Sequence, residues 1–258
     1  MAITIGGVHD DVWIYEIASN TLTQLTFEGG AAPTWSSDGE RIVYSASRGG
    51  RPNLFRIPAD IGGADVRLTT DDRRQVPLSA SPDGSLLAYV QWDENTGRDI
   101  ALLRDSDRSG RPFLASPANE GAPAFSPDGQ LMAYVSDVSG TEEVYVAPVS
   151  GASRAVRVST GGGTEPVWRR DGGELFFRSG PHVLAATIKA GGALRPEAPR
   201  VLFEGQFESG RSTRPAYDVS ADGARFLMIR AADTGRLGRE LRVFANWRDE
   251  VGRGAAAR

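Results

Sequence analysis

The stretch Ala124–Val135 reads AFSPDGQLMAYV, and its chemistry is that of a tight hairpin. Proline presets φ, aspartate bonds its own backbone, and glycine accepts a positive φ. The apolar run after Asp-Gly has the alternation of a half-buried strand. The same pattern recurs as TWSSDGERIVYS at Thr34–Ser45, SASPDGSLLAYV at Ser79–Val90, VWRRDGGELFFR at Val167–Arg178 and DVSADGARFLMI at Asp218–Ile229. Its aspartates are Asp38, Asp83, Asp128, Asp171 and Asp222, spaced 45, 45, 43 and 51 residues apart. Strand-rich units at a period of about 40–45 residues are the signature of a propeller with one blade per repeat.

Each unit reads as four antiparallel strands. A short first strand carrying proline precedes the turn, as at Pro33-Thr34-Trp35-Ser36; proline is tolerated at the first residue of a strand. The second strand follows the turn. Six residues after the aspartate it presents Tyr44, Tyr89, Tyr134, Phe177 or Met228. Large side chains in that position are expected to pack between blades. Third strands are expected at Asn53–Ile57, Asp99–Leu103, Glu143–Ala147, Val183–Ile188 and Leu241–Ala245. Fourth strands are expected at Val66–Thr70, Phe113–Ser116 and Val156–Thr160, each closing on a small hydroxyl residue.

The fold class is therefore all-β, a β-propeller of four-stranded antiparallel blades with six blade positions. The propeller is assigned to residues 1–250. A partial first blade spans 1–28 and lacks its first strand. Blades follow at about 31–71, 75–117, 121–161 and 164–205, then a last, three-stranded blade at 215–248. Residues 251–258 read as a flexible tail. The partners that would close the ring are expected upstream of Met1.

Of the 258 residues, 40% are hydrophobic and 24% charged, which is globular rather than disordered composition. The formal net charge of −4 argues against a broad nucleic-acid-binding surface. Absence of cysteine excludes disulfides, thiolate metal sites and cysteine nucleophiles. No apolar run is long enough for a membrane helix, and the N-terminus has neither a basic region nor an apolar core of a signal peptide. Read as it stands, the chain stays where it is made. Joined to an upstream membrane helix, it would lie outside the cytoplasm.

Catalytic motifs are scarce. His9 and His182 are the only histidines, and each precedes a third strand. No Gly-x-Ser-x-Gly elbow or His-Glu-x-x-His pair occurs. The repeated aspartates are distributed one per blade, so they form turns rather than a calcium site. Gly161-Gly162-Gly163 has no lysine after it and leads into a strand, so it reads as a connection rather than a phosphate loop. No catalytic residue, metal ligand or cofactor is assigned. Recognition is expected on one side of the blades, from loops on a rigid scaffold around the channel mouth. The candidates are Arg48, Arg51, Gln75, Asp93, Arg98, Asn119, Glu120, Asp137, Glu165 and Arg214. Their mixed charge suits a protein, peptide or small polar ligand.

The repeat resembles the TolB-type, WD-like propeller family. It is most similar to the propeller at the C-terminus of bacterial eukaryotic-type serine/threonine kinases. The residues that carry this are Asp11–Gly30, Asn119–Ser136, Ser159–Trp168, Tyr217–Ile229 and the ending LRVFANWRDEV at Leu241–Val251. In that family the propeller follows a kinase domain and a membrane helix, which implies a sensor or interaction module. No Gly-x-Gly-x-x-Gly loop, His-Arg-Asp or Asp-Phe-Gly occurs in this chain, so phosphoryl transfer is not assigned to it. Two further expectations stand beside this one: a stand-alone TolB-like envelope scaffold, and a propeller detached from a peptidase or working as a lyase or hydrolase.

Overall fold

The computed structural model describes residues 1–7, 9–60, 62–105, 110–151, 155–189, 194–210 and 214–229. The expected third strand of the last blade, the ending at Leu241–Val251 and the tail lie outside the described residues. Every regular element among the described residues is a β-strand. The chain divides into two compact units, Met1–Phe125 and Ser126–Arg258.

In the first unit, β1 (Ala2–Ile5), β2 (Asp11–Glu16) and β3 (Thr21–Gln24) form a three-stranded antiparallel meander. Next come β4 (Ala31–Trp35), β5 (Arg41–Ala46), β6 (Asn53–Pro58) and β7 (Val66–Arg67), a four-stranded sheet in sequence order. A second four-stranded sheet holds β8 (Gln75–Ala80), β9 (Leu86–Asp93), β10 (Gly97–Arg104) and β11 (Arg111–Leu114). Strand β12 (Glu120–Phe125) ends the unit. In the second unit, β13 (Leu131–Ser136), β14 (Glu143–Pro148) and β15 (Val156–Arg157) run antiparallel in order. They are followed by β16 (Thr164–Trp168), β17 (Glu174–Ser179), β18 (His182–Lys189), β19 (Arg195–Pro196) and β20 (Arg200–Glu204). Both β19 and β20 pair with β18. A hairpin of β21 (Tyr217–Val219) and β22 (Phe226–Met228) completes the described residues. These are propeller blades.

One hydrogen-bond pattern builds all five Asp-Gly hairpins. The glycine N–H donates to the carbonyl three residues back: Gly39 to Ser36 (3.0 Å), Gly84 to Ser81 (2.9 Å), Gly129 to Ser126 (2.8 Å), Gly172 to Arg169 (2.9 Å) and Gly223 to Ser220 (2.8 Å). All five glycines have φ between 71° and 75°, which a side chain would oppose. The aspartate Oδ1 accepts the N–H two residues on, at 2.9–3.0 Å, from Glu40, Ser85, Gln130, Gly173 and Ala224. Where serine begins the turn, its hydroxyl donates to the aspartate and accepts the N–H five residues later.

The turn fixes register, and register places the large side chain six residues on. Tyr44, Tyr89, Tyr134, Phe177 and Met228 are all buried. Tyr44 packs with Ile42 and Phe55 of its own sheet and with Val12 and Leu25 of the sheet before. Tyr89 packs with Leu87 and Leu103 and reaches Val43 and Leu54. Phe176, Val183 and Phe203 meet Tyr217, Phe226 and Met228 in the second unit. Removing such an aromatic to alanine costs about 3–5 kcal/mol.

Two local expectations are corrected. Proline is not the first residue of the inner strand but lies within it, as Pro33, Pro77 and Pro166, where the register slips by a bulge. A bulge leaves the proline nitrogen without a ladder partner. Just before Pro33, Pro123 and Pro166, residues Ala32, Ala122 and Glu165 take φ of 54°, 45° and 58°. The fourth strands also differ from expectation: β7 and β15 are shorter, stopping at Arg67 and Arg157, and β11 is shifted two residues earlier, to Arg111–Leu114. Beyond β7 and β15 a side-chain hydroxyl takes over the pairing. Leu54 donates its N–H to Thr69 Oγ1 at 3.1 Å, and Val144 to Ser159 Oγ at 2.8 Å. Val12 does the same to Thr26 Oγ1 at 2.9 Å.

The turn aspartates make stability pH-dependent. The Ser36 hydroxyl and then the Glu40 N–H pull the Asp38 carboxyl down to about 2. Hydrogen bonds, led by those from Ser81, Ser126 and Ser220, lower Asp83, Asp128 and Asp222. A carboxyl lowered by folding adds stability above its unfolded value, about 3.9, and loses it as pH falls through the folded value. Melting temperature should therefore fall as pH is lowered from about 4 toward 2. Asp38→Asn and Asp83→Asn should each flatten that fall, as thermal melts across the range would show. A wild-type melt unchanged down to pH 2 would contradict this.

Candidate functional site

In each sheet the meander puts the loops between second and third strands, and the connections to the next sheet, on one side. The Asp-Gly turns lie on the other. Candidates from sequence fall on the first, loop side, but the structure gives them different roles.

Three of them are interior. Gln75 starts β8, Glu120 starts β12 and Glu165 lies inside β16, so none is a loop residue, and all are buried. The Gln75 Oε1 accepts the Thr69 hydroxyl, and the Glu120 Oε1 accepts the Ser116 hydroxyl. Glu165 accepts the Ser209 hydroxyl at 2.6 Å and the Ala216 N–H at 2.7 Å. Burial of a polar group requires such partners, so these side chains serve the fold first.

The others in the first unit are accessible. Arg48 is half-buried over the Phe55 ring at 5.5 Å, pairs with Asp65 at 3.3 Å and donates to the Gly29 carbonyl at 3.2 Å. Arg51 is exposed. Asp93 ends β9 and Arg98 lies in β10, because the hairpin between them is tighter than expected. The backbone N–H of Arg98 donates to Asn119 Oδ1 at 3.3 Å, so these two meet. Asp93 accepts the Asn95 N–H and faces Arg73 at 3.5 Å; the Asn95 bond leads in holding its carboxyl low. Arg73 also pairs with Asp71 at 2.8 Å, and Arg74 lies over the Trp92 ring at 4.6 Å. In the second unit Asp137 is half-buried, its carbonyl capping the Gly140 N–H, and Arg214 is exposed.

A clasp that the sequence reading missed runs along this side. A polar residue opens the third strand: Asp11, Asn53 and Glu143. Asp11 Oδ1 accepts the Thr26 hydroxyl at 2.9 Å and the Gly29 N–H at 3.1 Å. Asn53 exchanges two hydrogen bonds of 2.9 Å with the Asp71 backbone. Glu143 accepts the Ser159 hydroxyl and the N–H groups of Gly161 at 2.8 Å and Gly162 at 3.1 Å. Burial opposes its ionisation, but the bonds from Ser159, Gly162 and Gly161 outweigh that and lower the carboxyl. The signal was present in the sequence: Asn53 and Glu143 each stand 15 residues after the turn aspartate.

In the second unit the glycine connection opens a cavity of about 340 Å³. It is lined by Thr141, Glu142, Gly161, Gly162, Gly163, Thr164, Arg178, Ser179 and Gly180. Among the described residues no group of three or more His, Asp or Glu side chains could hold a metal ion.

Residues 79–239 match the family profile described as the TolB beta propeller domain, and the chain belongs to that family. It is 31% identical over 141 residues to the TolB homolog of Chlorobium luteolum, covering 52% of this chain and 30% of that one. It is 29% identical over 186 residues to the Tol-Pal system protein TolB of Bordetella pertussis, covering 69% and 40%. The chain thus spans less than half the length of both relatives. The crystal structure of TolB from Acinetobacter baumannii superposes with a TM-score of 0.66 at 16% identity, over 84% of this chain and 53% of that one, a likeness of fold.

The clasp gives a direct test. Ser159→Ala leaves the Val144 N–H and a Glu143 oxygen without their partner in the interior. The expected loss is about 1–3 kcal/mol. Urea denaturation should show it as a lower midpoint at unchanged slope. Ser139→Ala, on the exposed loop tip, should change the midpoint little.

Proposed function

We propose that this chain is a non-catalytic binding propeller that recognises a protein, peptide or small polar ligand through its loop side. The observation that carries this is the division of labour between the two sides. The turn side repeats one hydrogen-bonded pattern at all five Asp-Gly turns. The loop side varies, presenting Arg51, Asp93, Arg98 and Asn119 in one unit and Asp137 and Arg214 in the other. A rigid scaffold with variable loops is the arrangement on which recognition is usually built. Family membership supports the reading, since the Bordetella relative is named for its place in the Tol-Pal system.

The finer proposal is that the propeller is the sensor or interaction module of a bacterial receptor-type serine/threonine kinase. The similarity of Asp11–Gly30, Asn119–Ser136 and Leu241–Val251 to that kinase propeller supports it. A stand-alone TolB-like envelope scaffold is the second reading, favoured by the similarity to TolB proteins.

Immunoblotting of soluble and membrane fractions with an antibody to this chain separates the two. The kinase module predicts a membrane band far above 27.6 kDa. A product of the propeller's own mass, free of the membrane, would overturn it.

A further inference from the structure

One pair on the loop side departs from the repeat. Arg74 stands nine residues before the turn aspartate Asp83, and Trp92 nine residues after it. The same two positions hold Gly29 and Ser47, Asn119 and Asp137, and Gly162 and Gly180 in three other repeats. The fold therefore requires neither an arginine nor a tryptophan there. The Arg74 guanidinium lies over the Trp92 ring at 4.6 Å, and the Trp92 N–H donates to the Arg74 carbonyl at 3.0 Å. Arg74 is exposed and Trp92 only half-buried, so the contact belongs to the surface rather than the core. Tryptophan and arginine together are the residues on which binding energy concentrates in interfaces.

Arg74 also differs from the arginines around it. Arg48 is answered by Asp65 and Glu28, and Arg73 by Asp71 and Asp93. Among the described residues the Arg74 guanidinium has a ring contact but no carboxylate or carbonyl partner. Its N–H donors are thus open to solvent, and a ligand can reach them. A guanidinium already held by a ring loses less freedom when it binds than a free side chain does.

The surrounding charge is balanced, so it does not choose the sign of the ligand. With Arg48 and Arg73 neutralised, Arg51 and Arg74 stand against Asp72 and Glu94, all four exposed. Arg98 and Asp99 follow in β10, the first engaged within the protein and the second buried. Geometry decides instead. Of the four exposed charges only Arg74 is held by a ring, and ordering the others would cost entropy. A guanidinium fork matches a carboxylate through two parallel hydrogen bonds. The open part of the Trp92 ring offers apolar surface on which a methylene stem can lie. The Gln75 N–H bonds the Pro52 carbonyl at 2.8 Å, which ties the Arg51 loop to the Arg74 connection and places a second cation on that side. We propose that the Arg74–Trp92 pair receives a glutamate side chain of a partner protein, its carboxylate on the guanidinium fork and its stem on the ring. This rests on the reading of the loop side as the binding surface.

The test is a nitrogen-15 NMR titration of the whole chain, read at the Arg74 Nε–H and the Trp92 indole N–H. The probe is N-acetyl-Gly-Glu-Gly-amide. N-acetyl-Gly-Lys-Gly-amide and N-acetyl-triglycine, which carries only a terminal carboxylate, serve for comparison. Both resonances should move with the glutamate peptide, stay still with the lysine peptide and respond several-fold more weakly to triglycine. Arg74→Lys keeps the charge but loses the fork, and should weaken binding about two- to fivefold, the scale of an exposed ion pair. Trp92→Leu should weaken it as well, read at Arg74. Asp72→Asn and Glu94→Gln each remove a competing carboxylate and should tighten it, a gain that a misfolded variant would not show. Resonances that ignore the glutamate peptide, or answer the lysine peptide or triglycine equally, would overturn the proposal. So would an Arg74→Lys chain that binds like the wild type. If the resonances stay still while the loop side is found in contact with a protein, this inference falls and the binding reading stands.

Discussion

A turn of four residues sets everything else. In Ser-x-Asp-Gly the serine hydroxyl donates a hydrogen bond to the aspartate and accepts one from the N–H that opens the next strand. Glycine at φ near 72° closes the reversal. With both ends fixed, the second strand cannot slip by one residue, which would turn its side chains to the opposite face. Tyr44, Tyr89 and Tyr134 therefore arrive inside, and neighbouring sheets of a unit acquire a shared core. The turn beginning with Arg169 shows what the pattern needs most. Arginine replaces serine there, yet the backbone bonds from Gly172 and to Glu174 persist. The Asp-Gly pair is thus the indispensable part, and the hydroxyl reinforces it.

The opposite side is held by different chemistry. There the chain leaves one sheet for the next, and the ladder runs out after β7 and β15. Thr26, Thr69 and Ser159 replace the missing carbonyl with a hydroxyl, and carboxylates or amides order the connection that follows. Side chains that solve a backbone problem locally leave the connecting loops free to vary. That freedom is what lets a propeller keep one fold and change its surface.

Much of the fold was legible because its determinants are local and repeated. Turn residues, alternation and period define the hairpins without knowledge of what they pack against. The bulge at the inner proline was not legible, since proline fits both a strand start and a bulge, and only the pairing of Thr164 with Arg178 and Val167 with Phe176 decides. The clasp was hidden for another reason. Its partners, such as Glu143 and Ser159, are 16 residues apart, and each reads alone as an ordinary polar residue near a loop. Loop placement likewise misjudged Gln75, Glu120 and Glu165, which belong to inner strands and point inward. Arg178 was overlooked because it reads as an ordinary polar residue at the end of an apolar run, while its partner Glu165 lies 13 residues away on the neighbouring strand.

The repeated side builds the molecule, and the proposed role of the variable side is to recognise a partner. Site-specific photo-crosslinking in the native host tests this most directly. A benzophenone side chain would replace Arg51 or Thr141 on the loop side, and Ser37 or Gln130 on the turn side, all four exposed. The account predicts one discrete adduct shared by the loop-side positions and none from the turn side. Adducts from the turn side alone, or from neither, would contradict it.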